Sequence, residues 1–318
     1  MVFRFACSRM GMAVVLGCVS LVAPAEAQLN TQHIKGTVGL KSGSQAPPGV
    51  YFIAPLLYVY DTDEVKDHEG VRLPVEGNLA SQVYGAGISV VTKKTLLGGF
   101  YGFQVILPVG ANNRLQATEI DADPGAGLSD SVITPVSIGW HTPRADVTVG
   151  YTIFAPTGRY TDGADDNTGL GMWGHELSAG TTVYLSGSRQ WHAATLASVD
   201  FQSKKEDSET KVGTAMNLEG GVGGDFLKGG LTAGLNYYAS FKLTDDQIED
   251  FPEIIIRGRN KVFAVGPEIQ LALARKQTLY GFLKVNYQWE LYARTTTQGS
   301  ALTVLATFLL KPLKLPIP

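Results

Sequence analysis

Residues 140–187 read WHTPRADVTVGYTIFAPTGRYTDGADDNTGLGMWGHELSAGTTVYLSG, and their pattern decides the fold. After a tight turn at Thr142–Arg144, the apolar side chains of Val147 and Val149 alternate with small or polar ones. A loop rich in Gly and Asp follows, and a second alternating segment runs from Glu176 to Ser186. Strands of about ten residues with one apolar face, joined by a short turn at one end and a long polar loop at the other, are typical of transmembrane β-barrels.

The same pattern repeats along the chain and predicts twelve antiparallel strands. They lie at about residues 50–62, 79–93, 99–112, 130–142, 145–160, 175–187, 191–204, 211–224, 230–244, 260–275, 278–294 and 300–310. The connections after even-numbered strands are short, and most of those after odd-numbered strands are longer. This predicts an all-β bacterial outer-membrane barrel with short periplasmic turns, longer extracellular loops and both termini in the periplasm. A soluble all-β protein is the alternative, but it gives no reason for loops to sort by length.

The strand at 278–294 indicates which face looks inward. Leu283 and Val285 fall on one set of alternate positions, and Lys284 and Glu290 fall on the other. A Lys that faces lipid at mid-depth costs about 2–4 kcal/mol, so the charged face must line the interior. Extended to neighbouring strands, this reasoning predicts a lumen and solute pathway lined by Asn217, Glu219, Asn236, Tyr238, Lys242, Glu268, Gln270, Lys284, Asn286, Gln288 and Glu290. Four aromatic side chains are also predicted to point inward: Phe154, Tyr238, Tyr280 and Phe282.

The N-terminus has the pattern of a secretory signal. Arg4 and Arg9 precede an apolar run, and Ala25–Ala27 forms an A-x-A cleavage site. A lipoprotein box ending at Cys18 is the alternative, but the apolar run before it is very short. The predicted division is a cleaved signal peptide at 1–27, a periplasmic N-terminal arm or plug at 28–49, the barrel at 50–310 and a C-terminal tail at 311–318.

Composition excludes several functional classes. Both cysteines, Cys7 and Cys18, lie in the predicted signal, so the mature chain has no disulfide framework and no thiolate metal site. Cleavage would leave 24 basic and 28 acidic residues, a balance that does not favour a nucleic-acid partner. We predict no metal site and no cofactor. Acidic residues concentrate in the long loops, where divalent cations could bridge them to lipopolysaccharide.

An enzyme acting on outer-membrane lipid is an alternative class. Such an enzyme needs a nucleophile and a base on one rim of the barrel. His175 with Ser178 or Thr181 is the one pairing that the sequence offers, although the predicted faces match poorly. Neither an HExxH motif nor a G-x-S-x-G motif is present.

The predicted lumen residues admit two interpretations. Mixed charges and amides can line a path for solutes. The same groups can form an ion-pair network that fills a narrow barrel and keeps it closed, as in a structural or adhesive protein. Several inward aromatic residues favour a small, partly apolar solute over bulk ions.

The stretch Ala155–Tyr160, followed by Asn167–Gly169 and Trp173, carries a P-T-G-x-Y, N-x-G and Trp pattern. In this pattern the chain resembles the family named "MetA-pathway of phenol degradation", whose members are outer-membrane proteins. The resemblance implies a barrel that takes up aromatic or other hydrophobic compounds. It also implies a loop at the mouth of the barrel, in which Gly158 and Gly169 serve the loop geometry and Asn167 and Trp173 fold the loop over the opening.

Together these observations predict a non-enzymatic, porin-like channel for passive uptake of small hydrophobic or aromatic solutes. Its location is the outer membrane of a Gram-negative bacterium, reached across the inner membrane with a cleaved signal peptide. Its expected partners are the solute, outer-membrane lipids with lipopolysaccharide, and the barrel-assembly machinery.

Overall fold

The structure is a computed structural model that describes residues 30–73, 77–117, 120–122, 125–162, 164, 166–247 and 259–314. The predicted signal peptide lies outside the described residues. The strands are β1 (Gly49–Lys66), β2 (Gly77–Leu96), β3 (Gly99–Ala117), β4 (Ile120–Ala122), β5 (Gly127–Leu128), β6 (Ser131–His141), β7 (Ala145–Ala155), β8 (Gly174–Tyr184), β9 (Trp191–Gln202), β10 (Ala215–Phe226), β11 (Leu231–Lys242), β12 (Lys261–Arg275), β13 (Thr278–Arg294) and β14 (Thr296–Lys314). A single 3₁₀ turn, Leu227–Gly229, interrupts them within the described part. No helix among these residues is long and apolar enough to cross a membrane.

Twelve of the described strands close into one antiparallel barrel. Each long strand pairs with its neighbour in sequence, apart from the short strands β4 and β5, which pair with β3. Pairing of β1 with β14 closes the ring, and Tyr51 opposite Leu309 marks its register near one rim. The closure leaves no long free edge, which in hydrocarbon would cost several kcal/mol for each unpaired backbone group. The predicted twelve-stranded antiparallel barrel is confirmed.

Short turns occupy one rim and long connections the other. On the short rim, Leu97 and Gly98 join β2 to β3, and Lys276 and Gln277 join β12 to β13, with positive φ at all four residues. Two-residue turns of this hand match the twist of the strands they connect. The opposite rim carries long connections such as 156–173 and 203–214, although Thr295 alone separates β13 from β14. We call these two ends the turn rim and the loop rim.

The two faces of the strands separate by polarity. Large apolar side chains such as Leu235, Ile269 and Trp289 are exposed on the outside, where lipid would cover them. Charged and amide side chains on the same strands, such as Lys284 and Glu268, are buried toward the interior. Trp191 is exposed near the turn rim, in the position of an interfacial aromatic.

Three local predictions about the strands are wrong. The strand predicted at 145–160 ends at Ala155, because Pro156 has no N–H for the ladder. The last strand, predicted at 300–310, runs from Thr296 to Lys314, so part of the predicted tail is strand. Its Pro312 is tolerated because the pairing with β1 begins only at Leu309, which leaves one side of the strand unpaired.

The third wrong prediction concerns Tyr280, which was expected to point inward. A register shift between Leu279 and Gly281 reverses the alternation there. Tyr280 is 45% exposed, and Leu279 is buried in its place against Tyr51. Phe154 and Tyr238 are buried, and Phe282 packs against the same cluster as Leu279.

Candidate functional site

The interior of the barrel is occupied by the chain's own N-terminal segment, residues 30–48. Asn30 and Thr31 lie beside Ala215, Lys242 and Thr296, which are all at the loop rim. The segment then passes along the inner wall and joins β1 at Gly49, which pairs with Val91 at the turn rim. It therefore traverses the whole height of the barrel. We call residues 30–48 the lumenal segment.

Both termini, predicted to be periplasmic, lie outside the described residues, but the described residues nearest to them stand at opposite rims. The first described residue, Asn30, lies at the rim opposite to Gly49, and the described C-terminal residue, Lys314, pairs with Thr278 at the turn rim. The sequence analysis left open whether residues 28–49 form an arm or a plug, and the described part lies inside the lumen. Buried charges of the wall supply the physical reason, because each needs a polar partner that only another part of the chain can provide.

Near the loop rim, three consecutive side chains of the segment contact three different strands or loops. Thr31 Oγ1 donates to Asp200 Oδ2 at 3.2 Å. Gln32 Nε2 donates to the carbonyl oxygen of Met172 at 2.6 Å. The ring of His33 lies between two carboxylates, with Nδ1 2.6 Å from Glu176 Oε2 and Nε2 2.8 Å from Glu219 Oε1. The last contact joins the segment to β8 and β10 through one imidazole.

At mid-height, the wall binds the backbone of the segment. Lys284 Nζ donates to the carbonyl oxygens of Thr37 at 2.5 Å and Val38 at 3.1 Å. Asn286 Nδ2 donates to the Gly36 carbonyl oxygen at 2.9 Å. Glu219 Oε2 accepts from the Val38 amide at 3.1 Å, so this carboxylate serves both His33 and the backbone. Because backbone groups are bound, many sequences could make these contacts, provided that the chain adopts the same bends.

Glycines provide the bends. Gly36 and Gly39 have φ of 78° and 83°, values that side-chain-bearing residues rarely adopt. A Cβ at Gly36 would overlap the side-chain amide of Gln288, and one at Gly39 would overlap the Glu268 carboxylate. Glu268 Oε1 accepts from the Leu40 amide at 3.2 Å, so the wall carboxylate sits against the bend.

Leu40 is the apolar anchor of the segment, with 1% of its side chain exposed. Its methyl groups lie 2.7 to 3.0 Å from where a Cβ would stand at Gly221, Gly223 and Gly234. The glycines of β10 and β11 thus leave a hollow in the wall that Leu40 fills. Burying a Leu side chain contributes roughly 1.5–3 kcal/mol relative to leaving it in water.

At the turn rim the contacts are again side chain to side chain. Lys41 Nζ lies 2.8 Å from Asp225 Oδ2 in a half-buried ion pair. Ser44 Oγ donates to Asp146 Oδ2 at 2.7 Å. Gln45 Nε2 donates to Ser137 Oγ at 3.0 Å. The segment is therefore held along its entire length by groups from most of the barrel's circumference.

The structure places the eleven predicted lining residues on the interior side, ten of them buried and Gln270 half-buried. Four bind the lumenal segment directly: Glu219, Glu268, Lys284 and Asn286. Other members of the set bind one another within the barrel wall. The Tyr238 hydroxyl, for example, donates to Glu290 Oε1 at 2.7 Å. The role in solute passage predicted for this set stays a prediction.

For several of these contacts, sequence analysis predicted neither the residue of the lumenal segment nor its partner in the wall. His33 and Lys41 stood in a segment without periodicity, which offered no sign of its position. Glu176, Asp200 and Asp225 occupy inward positions of β8, β9 and β10, and their alternation with apolar residues was the signal available for them.

The predicted mouth loop, 156–173, packs against the rim. A Cβ at Gly158 would lie 2.6 Å from the Gly169 Cα, so the two glycines permit a close backbone approach. Asn167 Nδ2 donates to the carbonyl oxygens of Thr161 at 2.8 Å and Ala164 at 3.0 Å, which closes the loop on itself. Trp173 is 50% exposed and lies on the outside of the loop. The neighbouring Met172 is the buried residue, at 1% exposure.

At the tip of this loop, a lysine ammonium faces an aromatic ring. Lys205 Nζ lies 5.4 Å from the ring centroid of Tyr160, whose hydroxyl donates to Asp162 at 3.0 Å. Burial, followed by the hydrogen bond to Asp162, raises the pKa of Tyr160 to about 12. Tyr160 therefore stays neutral over the physiological range and contributes packing, with a hydrogen bond to an exposed carboxylate.

The pairing considered for a lipid hydrolase is not assembled. His175 Nδ1 lies 2.7 Å from the Tyr151 hydroxyl, and its ring stacks between Tyr151 and Phe201 on the outer face. Ser178 stands an odd number of residues away along β8, on the face that looks inward. A strand cannot bring His175 and Ser178 together, because successive side chains point to opposite faces. Thr181 shares the face of His175 but stands six residues along β8, roughly 20 Å away.

A family model described as "Putative MetA-pathway of phenol degradation" matches residues 62–306. The chain belongs to that family. The match covers β2 to β13, the C-terminal end of β1 and just over half of β14, so the phenol-degradation family shares the barrel and not only the mouth loop. The resemblance inferred from the P-T-G-x-Y pattern is confirmed.

One solved structure shows the same fold at low identity, and a second has only a weak overall likeness. An outer membrane channel from Pseudomonas putida F1 is 14% identical, with a TM-score of 0.71, and the alignment covers 87% of this chain and 100% of that one. The translocator domain of the autotransporter NalP from Neisseria meningitidis is 12% identical, with a TM-score of 0.45, and the alignment covers 93% and 95%. No curated protein matches the sequence significantly. The phenol-degradation family member described here therefore has an outer-membrane barrel fold.

Proposed function

We propose that this protein is a passive channel of the Gram-negative outer membrane for small hydrophobic or aromatic solutes, and that its lumenal segment sets the width of the path. The observation that carries the proposal is the segment itself. Among the described residues, 30–48 fill the interior, and only noncovalent contacts fasten them to the wall. A barrel whose lumen is filled by a noncovalently held segment of its own chain can pass solutes when that segment moves.

Three observations support the solute class. The family's description names phenol degradation. The interior carries aromatic side chains, since Phe154 and Tyr238 are buried there and Tyr60 donates to Glu290 at 2.8 Å. The solved channel from Pseudomonas putida F1 shares the barrel fold. A path with several aromatic rings beside charged groups suits a solute with an apolar body and a polar end.

The proposal includes delivery and surroundings. The signal peptide at 1–27 would be cleaved after export, the barrel-assembly machinery would insert the strands, and lipopolysaccharide would surround the loop rim. We assign no catalytic role, because His175 and Ser178 face opposite sides of β8 and Thr181 stands six residues from His175 along the strand. A closed structural barrel is the second candidate, since the segment fills the lumen so completely.

Electrical recording distinguishes these functions. The mature protein and a variant lacking residues 30–45 would be inserted into planar bilayers, with far-ultraviolet circular dichroism to verify that both are folded. We expect brief, rare openings for the intact protein and a steady, large current for the deletion. Phenol added to the deletion variant should then reduce the ion current, whereas a polyol of similar size should not. A deletion variant that carries no current would support the closed barrel, and a current that phenol leaves unchanged would refute only the solute class.

A further inference from the structure

Three possible metal ligands meet where the lumenal segment touches the wall. One ligand atom each from His33, Glu176 and Asp200 lie within 4.8 Å of one another. They come from the segment, β8 and β9, so the fold brings together residues that are distant in sequence. Glu176 and Asp200 are buried and oppose each other directly in the pairing of β8 with β9. One imidazole with two carboxylates is a donor set that zinc and similar divalent ions accept.

The fourth group of the cluster orients the histidine. His33 Nε2 lies 2.8 Å from Glu219 Oε1, and Glu219 is itself fixed by the Val38 amide. When Nε2 donates its proton to a carboxylate, the lone pair of Nδ1 is directed to the opposite side. Histidines that bind metals nearly always have such a carboxylate or carbonyl partner on the other ring nitrogen. Nδ1 of His33 is the atom that faces Glu176.

Asp200 supplies the independent sign of a missing partner. Its side chain is 0% exposed, and Oδ2 accepts from Asn217 Nδ2 at 2.8 Å and from Thr31. Its second oxygen, Oδ1, receives no hydrogen bond from a donor within the described part of the chain, and the carboxylates of Asp200 and Glu176 lie within hydrogen-bonding distance of each other. A buried carboxylate oxygen without a partner is costly unless a cation or an ordered water satisfies it.

The charge balance of the pocket also calls for a cation. The carboxylates of Glu176, Asp200 and Glu219 surround the single imidazole of His33. Lys35 is within electrostatic range of Asp200 and Glu219, but no ion pair with it is formed in the described region. Like charges at this distance in a desolvated site oppose each other strongly. A divalent ion would remove most of that repulsion.

We propose that His33 Nδ1, Glu176 and Asp200 bind one divalent transition-metal ion, with Zn²⁺ as the best match, and that water completes the coordination. Zinc takes nitrogen and oxygen ligands at about 2.0–2.2 Å, which places tetrahedral neighbours about 3.4 Å apart. In the present arrangement the three ligand atoms lie within 4.8 Å of one another, and His33 Nδ1 is 2.6 Å from Glu176 Oε2. Since His33 belongs to the lumenal segment and the carboxylates to the wall, the ion would fasten the segment inside the barrel.

Metal binding to purified protein tests the site, whatever the barrel conducts. The detergent-solubilised mature protein would be stripped with chelator and titrated with Zn²⁺ by calorimetry, and bound zinc would be counted by mass spectrometry. We expect one zinc per chain. His33→Ala, Glu176→Gln and Asp200→Asn should each weaken binding at least about tenfold, and Glu219→Gln should weaken it about 10- to 100-fold through loss of orientation. His175→Ala is the matched control, since it is next to Glu176 but faces outward.

Two further readouts keep the result interpretable. Co²⁺ in place of zinc should give visible absorption bands of a nitrogen- and oxygen-ligated ion in the wild type and in His175→Ala, but not in His33→Ala. Circular dichroism and the heat-dependent gel shift of each variant report whether the barrel is intact. The proposal is overturned if the wild type binds no zinc, or if folded His33→Ala and Asp200→Asn bind it as tightly as the wild type. Loss of channel current with zinc binding preserved would instead count against the proposed function alone.

Discussion

Lys284 provides the sharpest test of how the wall holds the lumenal segment. Its buried ammonium donates to the carbonyl oxygens of Thr37 and Val38, and Lys284→Met removes both bonds while keeping a side chain of similar length. Each charge-assisted bond contributes about 1.5–3 kcal/mol. The variant no longer has to bury a lysine charge, and this lower desolvation cost offsets part of the loss. We therefore expect docking of the segment to weaken by about 3 kcal/mol. At 1.4 kcal/mol per factor of ten, the undocked population should rise roughly a hundredfold.

Thiol labelling measures that population directly, because the sequence has no cysteine after Cys18, which lies in the predicted signal peptide. Ser42→Cys is a suitable reporter, since Ser42 is 5% exposed and its hydroxyl has no partner among the described residues. A bulky maleimide reaches this position only when the segment leaves the lumen. The labelling rate should therefore rise roughly a hundredfold in Lys284→Met, in proportion to the undocked fraction.

Lys228→Met is the matched control, because Lys228 is an exposed lysine of the turn rim and binds no part of the segment. Its labelling rate at position 42 should equal that of the parent. The reasoning is refuted if Lys284→Met and Lys228→Met label at the same rate while both barrels remain folded.

Three other predictions follow from particular contacts. Leu40→Ala should empty the glycine-lined hollow, weaken docking by about 2–5 kcal/mol and increase channel openings, and unchanged openings would contradict the anchor role. Gly169→Ala places a Cβ 2.9 Å from the Gly158 Cα, so the mouth loop should be cleaved faster by protease while the melting temperature of the barrel stays the same. Asp246→Asn removes the negative charge that lies 2.6 Å from Nζ of the buried Lys242, and should destabilise the loop rim by about 3–5 kcal/mol in thermal unfolding. An unchanged melting temperature would mean that another group neutralises Lys242.

The barrel could be predicted because the cost of charge in lipid acts on every strand separately. The alternation around Lys284 and Glu290 specified an inside and an outside without any knowledge of neighbours, and the structure agrees. The exceptions are local. The reversal at Tyr280 follows from a register shift with β14, which depends on two strands and is invisible in one.

The content of the lumen could not be predicted for a related reason. The lumenal segment forms no strand, so it has no periodicity, and its contacts join residues far apart in sequence, such as His33 and Glu219. The glycines of β10 are a feature of the sequence that indicates a group packed inside the lumen. Gly221 and Gly223 lie at inward positions, where the absence of a side chain makes room for Leu40. The lining residues were correctly predicted to face inward. The group that several of them bind, however, is the lumenal segment of the same chain.

Sidedness of the lumenal segment is the central claim, and labelling of intact cells tests it most directly. Asn30 and Ala46 are exposed at opposite ends of the segment, and Leu40 is buried between them. Single cysteines at these positions would be treated with a membrane-impermeant maleimide added outside the cells. With the turn rim in the periplasm, we predict labelling of Asn30→Cys, and labelling of Ala46→Cys only after the outer membrane is permeabilised. Labelling of Ala46→Cys from outside, with Asn30→Cys protected until permeabilisation, would contradict the account.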